Sequence, residues 1–310
     1  MVYDHTEGIG MKILVAEGNV QFAREWYRSI TGETQGEQYA SVIKSLSSNI
    51  QVDILNLPDS DQNSLLDFDR YEGIVLTGSS LNVYNQSPEV ERQIKFARRA
   101  FDSQVPFFGS CWGLQVANVA AGGEVELNHR GPEVGVARRV SLTDLGAQHP
   151  MHKGRKTSFD ALAIHSDHVT RQAEGMSVTA TNEISEVQAA EILYKNGCFW
   201  GAQFHPEYSL NTLADVLGMY DQTLISNRNL FLGGKEFKGY IEALRVLHKD
   251  SSRQDIAWQL GLDGDIQDDF SRSCEIRNWL ETKVGAPVRQ KSDRSVLFNY
   301  SYLVTATLPY

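Results

Sequence analysis

Three short runs constrain the fold of this chain more than any other feature. "KILVAE" at 12–17, "GIVLTG" at 73–78 and "VPFFGS" at 105–110 are apolar at nearly every consecutive position and end in glycine or a polar residue. A strand with one face in water alternates apolar and polar side chains. A strand apolar on both faces must be covered on both, as in a parallel sheet between two helical layers. The intervening segments fit that requirement: 20–30 and 88–103 read as helices, the second rich in Glu, Arg, Lys and Ala. Strand and helix in alternation predict an α/β fold, an open, mostly parallel sheet flanked by helices.

The pattern changes twice along the chain. From about 135 to 203 consecutive strands are expected, most clearly in "EILYKNGCFWGAQF". Asn196-Gly197 there predicts a tight type I′ hairpin, and Cys198 reads as a packed strand residue. After about 235 the pattern is helical: Phe237, Tyr240, Ile241, Leu244 and Leu247 form one apolar stripe. Ser252 with Asp255 suggests a capping box for a second helix through Ile256 and Leu260. Ile266, Phe270, Cys274, Arg277, Leu280 and Val284 mark a third, stopped by Gly285 and Pro287, with Cys274 in the core. The last stretch, 295–310, reads as strand or irregular. The expected organisation is a disordered leader at 1–10, an α/β unit at 11–235 and a mainly helical extension at 236–310. The stripes of the extension are expected to pack back on the α/β unit, with a homo-oligomer contact or docking to a partner as the alternatives.

Composition narrows the function classes. A net charge of −10 argues against a polyanion-binding surface, so no nucleic acid partner is expected. No apolar run approaches the ~18 residues of a membrane span, and the first residues lack the basic and apolar regions of a secretion signal. Three scattered cysteines make no disulfide framework, so a reducing cytoplasm is expected. "HPMH" at 149–152 offers two histidines without a matching Cys or carboxylate and reads as a solvated loop, so no metal is expected. No phosphate-cradling GxxxxGK[ST] loop is present, and no cofactor is expected.

"FFGSCWGLQ" places Cys111 where an apolar strand ends and a helix starts. Such an elbow projects a side chain from the carboxyl edge of a sheet, and a helix N-terminus favours a thiolate and developing negative charge. A thiol nucleophile also needs a base. "WGAQFHPEY" at 200–208 supplies His205 directly after another apolar strand, with Glu207 two residues on to orient and charge-stabilise the imidazole.

"GSCWGLQ" and "QFHPE", in this order and at this separation, resemble the class I glutamine amidotransferase family. The resemblance covers roughly 11–225: "LTGSS" at 76–80 lies where the family has its oxyanion-strand loop, and "GPEVGV" at 131–136 and "HSDHV" at 165–169 look like stretches of the GMP synthase glutaminase domain and its free-standing relatives. It implies a flavodoxin-like sheet, Cys111 as nucleophile, His205 as base and acid, and Glu207 as third triad member. It further implies oxyanion donors from Trp112 and the Gly78-Ser79 loop, and substrate contacts from Gln115, Ser166 and Asp167. One departure stands out: the usual Gly-Gly-Pro loop is here Gly78-Ser79-Ser80, which resembles free-standing γ-glutamyl peptidases and GMP-synthase-like proteins more than amidotransferase domains fused to a synthetase. The implied substrate is glutamine or another γ-glutamyl compound. Three readings follow: a stand-alone γ-glutamyl hydrolase, which the loop and the missing synthetase half favour, a glutaminase subunit serving a separate synthetase, or an inactive relative that binds a metabolite or partner.

Overall fold

The computed structural model describes residues 10–59, 66–221, 224, 231 and 233–288. The expected leader, apart from Gly10, and the 295–310 stretch lie outside the described residues. Strands β1 (Met11–Glu17) and β2 (Ile50–Asn56) enclose helices α1 (Gln21–Thr31) and α2 (Gln35–Leu46), and β3 (Gly73–Leu76), α3 (Pro88–Ser103), β4 (Phe107–Ser110) and α4 (Trp112–Ala120) follow. Then come β5 (Glu124–Leu127), β6 (Glu133–Leu142), the short α5 (Asp144–Gln148), β7 (Ser158–His165), β8 (Asp167–Arg171), β9 (Met176–Thr181), β10 (Ala189–Tyr194), β11 (Gly197–Ala202) and α6 (Leu210–Met219). Among the described residues nine strands form one sheet in the order β2-β1-β3-β4-β11-β10-β9-β6-β7, and β5 pairs separately with β8. The pairs from β2 to β11 are parallel and those from β11 to β7 antiparallel.

The apolar runs form this centre because their alternate residues serve two cores. Leu14, Ile74, Phe107 and Phe199 face α3 and α4. Ile13, Val15, Val75, Phe108 and Trp200 face the other side, with Tyr39 and Ile43 of α2. Ser87 begins α3 by accepting a hydrogen bond from the Val90 N–H, with Pro88 in the first turn.

Helices α7 (Gly234–Lys249), α8 (Gln254–Leu260), α9 (Gly264–Gln267), α10 (Asp269–Arg272) and α11 (Cys274–Trp279) follow, and a π-helical turn at Leu280–Val284 continues α11. The stripe on α7 buries Phe237, Ile241, Leu244 and Leu247 in a cluster with Leu213 and Leu217 of α6. Ile276 and Trp279 of α11, followed by Leu280 and Val284, enter the core on the Ile13 side of the sheet. This layer is riveted by polar groups: Asn278 donates to the carbonyls of Met151 (2.8 Å) and Lys153 (2.9 Å). None of the described helices is long and apolar enough to cross a membrane.

Four local expectations need correction. The hairpin loop is Lys195-Asn196, with Tyr194 paired to Gly197. Lys195 takes the left-handed φ (54°), and Gly197 starts β11 where a side chain would meet the Phe101 carbonyl at 2.4 Å. Ser252 does not cap α8, because its hydroxyl donates to Asp250 and the Asp255 carboxylate takes the Arg253 guanidinium (2.8 and 2.6 Å). A capping box occurs instead at Thr34–Glu37, at the start of α2. The third expected helix is broken into α9, α10 and α11 by Asp268 and Ser273, which act as helix boundaries. "HPMH" is not solvated. His152 is buried between Glu275 (3.2 Å) and Thr179 (3.0 Å), and His149 lies edge-on to Trp200 at 4.9 Å. Among the described residues no cluster of His, Cys, Asp and Glu could hold a metal ion.

Candidate active site

Cys111 alone makes the corner between β4 and α4. Its backbone (φ 50°, ψ −104°) lies where a residue with a side chain is strained by about 1–3 kcal/mol. The corner is held by the Cys111 N–H, which donates to the Ala202 carbonyl at 2.8 Å. The next turn packs so closely on β3 that a Cβ at Gly113 would sit 2.6 Å from the Leu76 carbonyl oxygen.

Parallel register brings in the histidine. β11 lies beside β4 with Ala202 opposite Ser110, so the segments that follow leave the sheet at the same level. On its other flank β4 meets β3 with Gly109 opposite Leu76, which brings up the Gly78 loop. Three segments far apart in sequence therefore converge at the carboxyl edge, where open α/β sheets place ligands. Cys111, Ser79, Gln115, Ser166, Asp167 and His205 all line one cavity.

The buried imidazole of His205 is fixed on three sides. Its Nδ1 donates to Glu207 Oε1 at 2.7 Å, its ring stacks on Tyr208 (centroids 4.0 Å apart), and its backbone N–H donates to the Leu162 carbonyl at 2.8 Å. Glu207 Oε1 also accepts from the Ser110 hydroxyl (3.0 Å), which accepts from the Tyr39 hydroxyl (2.7 Å). His205 Nε2 is buried with no hydrogen-bond partner. Burial pulls the imidazole pKa down, but the Glu207 carboxylate and the adjacent Cys111 outweigh it and raise the value to about 10. The arrangement can therefore accept a proton at Nε2 and hold it. Burial pushes the Cys198 thiol up to about 11 and the Cys274 thiol up to about 12.

The remaining expected residues fall around this pair. Gln115 donates to the Asp167 carbonyl at 3.2 Å and to Gln203 at 3.3 Å. The Asp167 carboxylate accepts from Asn82 (2.7 Å) and the Tyr84 hydroxyl (3.3 Å). Behind it, the two ring nitrogens of His165 meet the Asp167 carbonyl (3.0 Å) and Glu133 (2.9 Å), which ties "GPEVGV" to "HSDHV". Trp112 opens α4, in the turn whose N–H groups have no intrahelical acceptors. The Gly78 carbonyl accepts from the Thr77 hydroxyl (2.9 Å), the Ser79 hydroxyl donates to the Gly18 carbonyl (2.9 Å), and Asn19 accepts the Ser80 N–H (3.0 Å). These bonds fix the Gly78-Ser79-Ser80 loop.

Sequence reasoning did not single out Asn19, Asn82 or Tyr208. Asn19 carried a usable signal, since it follows the end of β1 at the same sheet edge. Asn82 and Tyr208 had none beyond lying in a loop near a motif.

The fold and this cluster define an α/β protein with a candidate ligand site at the carboxyl edge of its sheet. Comparison with known proteins specifies the class. A family model described as "Glutamine amidotransferase class-I" matches residues 36–217. A gamma-glutamyl-L-1-hydroxyisopropylamide hydrolase from a Pseudomonas species is 34% identical over 288 residues, covering 91% of this chain and 96% of that protein. One subunit of the glutamine-hydrolysing GMP synthase of Methanocaldococcus jannaschii is 29% identical over 138 residues, 44% of this chain and 64% of that protein. Among solved structures, a glutamine amidotransferase from Thermotoga maritima superposes with a TM-score of 0.62 at 17% identity, covering 89% of this chain and 99% of that one, which shows a shared fold. The chain belongs to the class I glutamine amidotransferase family, whose members are amidohydrolases.

Proposed function

We propose that the protein hydrolyses the γ-amide of glutamine or of another γ-glutamyl compound through a γ-glutamyl thioester on Cys111. The observation that carries this reading is the unpartnered, buried Nε2 of His205, in the cavity that Cys111 lines, with Nδ1 anchored by Glu207.

His205 Nε2 takes the thiol proton and Cys111 Sγ attacks the γ-carbonyl carbon. The carbonyl oxygen becomes an oxyanion, stabilised by the Trp112 N–H at the start of α4 and by the Ser79 N–H. The second donor is supported by the Gly78 carbonyl bond to Thr77, which fixes that peptide and directs its N–H the opposite way. One such donor contributes about 3 kcal/mol to a transition state. The intermediate collapses, the C–N bond breaks, and the departing nitrogen takes the proton back from His205. Water, deprotonated by His205, then attacks the thioester, and glutamate leaves as the thiol is restored. Gln115, Ser166 and Asp167 hold the α-amino and α-carboxylate ends.

The likeness to the Methanocaldococcus GMP synthase chain favours a second reading, a glutaminase subunit that delivers ammonia to a synthetase. Ammonia and glutamate release from glutamine and a set of γ-glutamyl amides, with Cys111→Ala as control, tests the first reading. Loss of all release in the variant is expected, and equal release by both proteins would refute the thioester mechanism.

A further inference from the structure

The cavity around Cys111 and His205 has a volume of about 240 Å³, and its lining includes one polar and one mainly apolar group of side chains. Asn82, Gln115 and Asp167 stand on the side of the β3 and β4 loops. Trp26 and Tyr27 of α1 with Val216, Met219, Tyr220 and Leu224 in and after α6 form a mainly apolar part, and the amide of Gln35, whose buried Oε1 has no hydrogen-bond partner, lines the cavity as well. Trp26 meets Tyr220 edge-on at 6.0 Å, so the two elements form one aromatic and aliphatic wall. Among the described residues that line the cavity, Asp167 alone carries a carboxylate and no Lys or Arg is present.

His205 stands at the junction of the two groups. Its ring stacks on Tyr208, which leads through Ser209 into α6. The thioester chemistry then fixes which group faces which part of the substrate. The carbonyl carbon of the γ-carboxamide must reach Cys111, and the departing nitrogen must reach the imidazole that protonates it. The groups able to hold a charged α-amino end, Asp167 and Gln115, lie on the Cys111 side. A substituent on the amide nitrogen therefore projects past His205 toward the α1–α6 wall. Glutamine, whose leaving group is ammonia, places nothing against that wall.

Resting on the thioester reading above, we propose that the α1–α6 wall is a leaving-group subsite and that the substrate is a γ-glutamyl amide of a small apolar primary amine. In the balanced reaction the C–N bond breaks, the amine leaves with the proton held by His205, and water supplies the hydroxyl of glutamate. Each methylene-sized group buried against such a wall is worth roughly fourfold in binding.

The test compares kcat/KM of the full chain for glutamine, γ-glutamyl methylamide, γ-glutamyl isopropylamide and γ-glutamylglycine, whose substituent is similar in size but anionic. The expected order places the isopropylamide about fifteenfold or more above glutamine, at two or more buried groups of roughly fourfold each, with γ-glutamylglycine below it. Trp26→Ala and Tyr220→Ala, both at partly exposed positions, should each lower the isopropylamide-to-glutamine ratio by about fourfold or more. If glutamine is hydrolysed as well as the isopropylamide, in a Cys111-dependent way, the subsite falls while the thioester reading stands. A ratio unmoved by both variants overturns the assignment of the wall. No hydrolysis of any of the four compounds would overturn the thioester reading, and the subsite with it.

Discussion

Replacing Glu275 by alanine tests how the helical layer after residue 235 is held. Glu275 is fully buried on α11, and its carboxylate receives the Arg155 guanidinium through two hydrogen bonds of 2.8 and 2.7 Å. His152 Nδ1 lies 3.2 Å away on the same oxygen as the first of these. Arg155 is itself almost fully buried, stacks over Phe159 at 4.4 Å and already has one nitrogen, Nη1, unpartnered. Glu275→Ala would leave that cation buried without a counter-charge, which costs about 3–5 kcal/mol. Acidity offers an independent measure. Burial pushes the Glu275 pKa up, but Arg155 and His152 overcome it and bring the value from 4.5 down to about 2. Because the folded value is depressed, the stabilisation is fully present above pH ~4.5 and is lost as pH falls toward 2. Its size, at 1.36 kcal/mol per pH unit, is about 3 kcal/mol, in agreement with the first figure. Urea unfolding of the full chain, followed by tryptophan fluorescence at pH 7 and at steps down to pH 2, reads both quantities. Glu275→Ala should lose about 3–5 kcal/mol at pH 7 and show a flatter acid limb. Arg155→Met with Glu275→Leu should recover most of the loss, since apolar replacement of a whole buried pair is often neutral or stabilising. A Glu275→Ala cost below about 1 kcal/mol, the range of an exposed pair, would refute the reasoning.

A glutamine-analogue electrophile should alkylate Cys111 near neutral pH and spare Cys198 and Cys274, whose thiols burial keeps protonated. Peptide mapping reads the outcome, and labelling mainly at either of the other two would remove Cys111 from its role. His205→Ala should abolish turnover, whereas Glu207→Gln should retain a measurable rate, because the amide can still accept from Nδ1 while the charge is lost. Steady-state kinetics of folded variants decide this, and equal inactivity would overturn the ranking. Truncation after Gly233 strips Ile276, Trp279 and Leu280 from the core on the Ile13 face. It should give an insoluble chain or one with a much lower Tm, so a soluble, active fragment that melts like the full chain would show the segment to be detachable.

The amino-acid sequence alone determined the elements whose signal is local. Runs apolar on both faces, such as "KILVAE" and "VPFFGS", state how a strand is buried without reference to any other segment. The corner at Cys111 is likewise legible, since the strand end, the cysteine and the helix start are adjacent in the chain. The tertiary structure alone decided what depends on partners distant in sequence. That Cys111 and His205 share a cavity follows from the alignment of β4 with β11, a register no local pattern encodes. Neither does local pattern show that Tyr208 stacks on His205, that Ser110 and Tyr39 support Glu207, or that His152 meets Glu275. Local signals also lost where a nearer partner competed. Ser252 was a plausible cap until Asp250 took its hydroxyl. "HPMH" read as polar and solvated because its burial is supplied by α11, more than a hundred residues later. The physical reason is the same in each case: propensity and periodicity act over a few residues, whereas burial and hydrogen-bond partners are assigned by whatever the fold brings alongside.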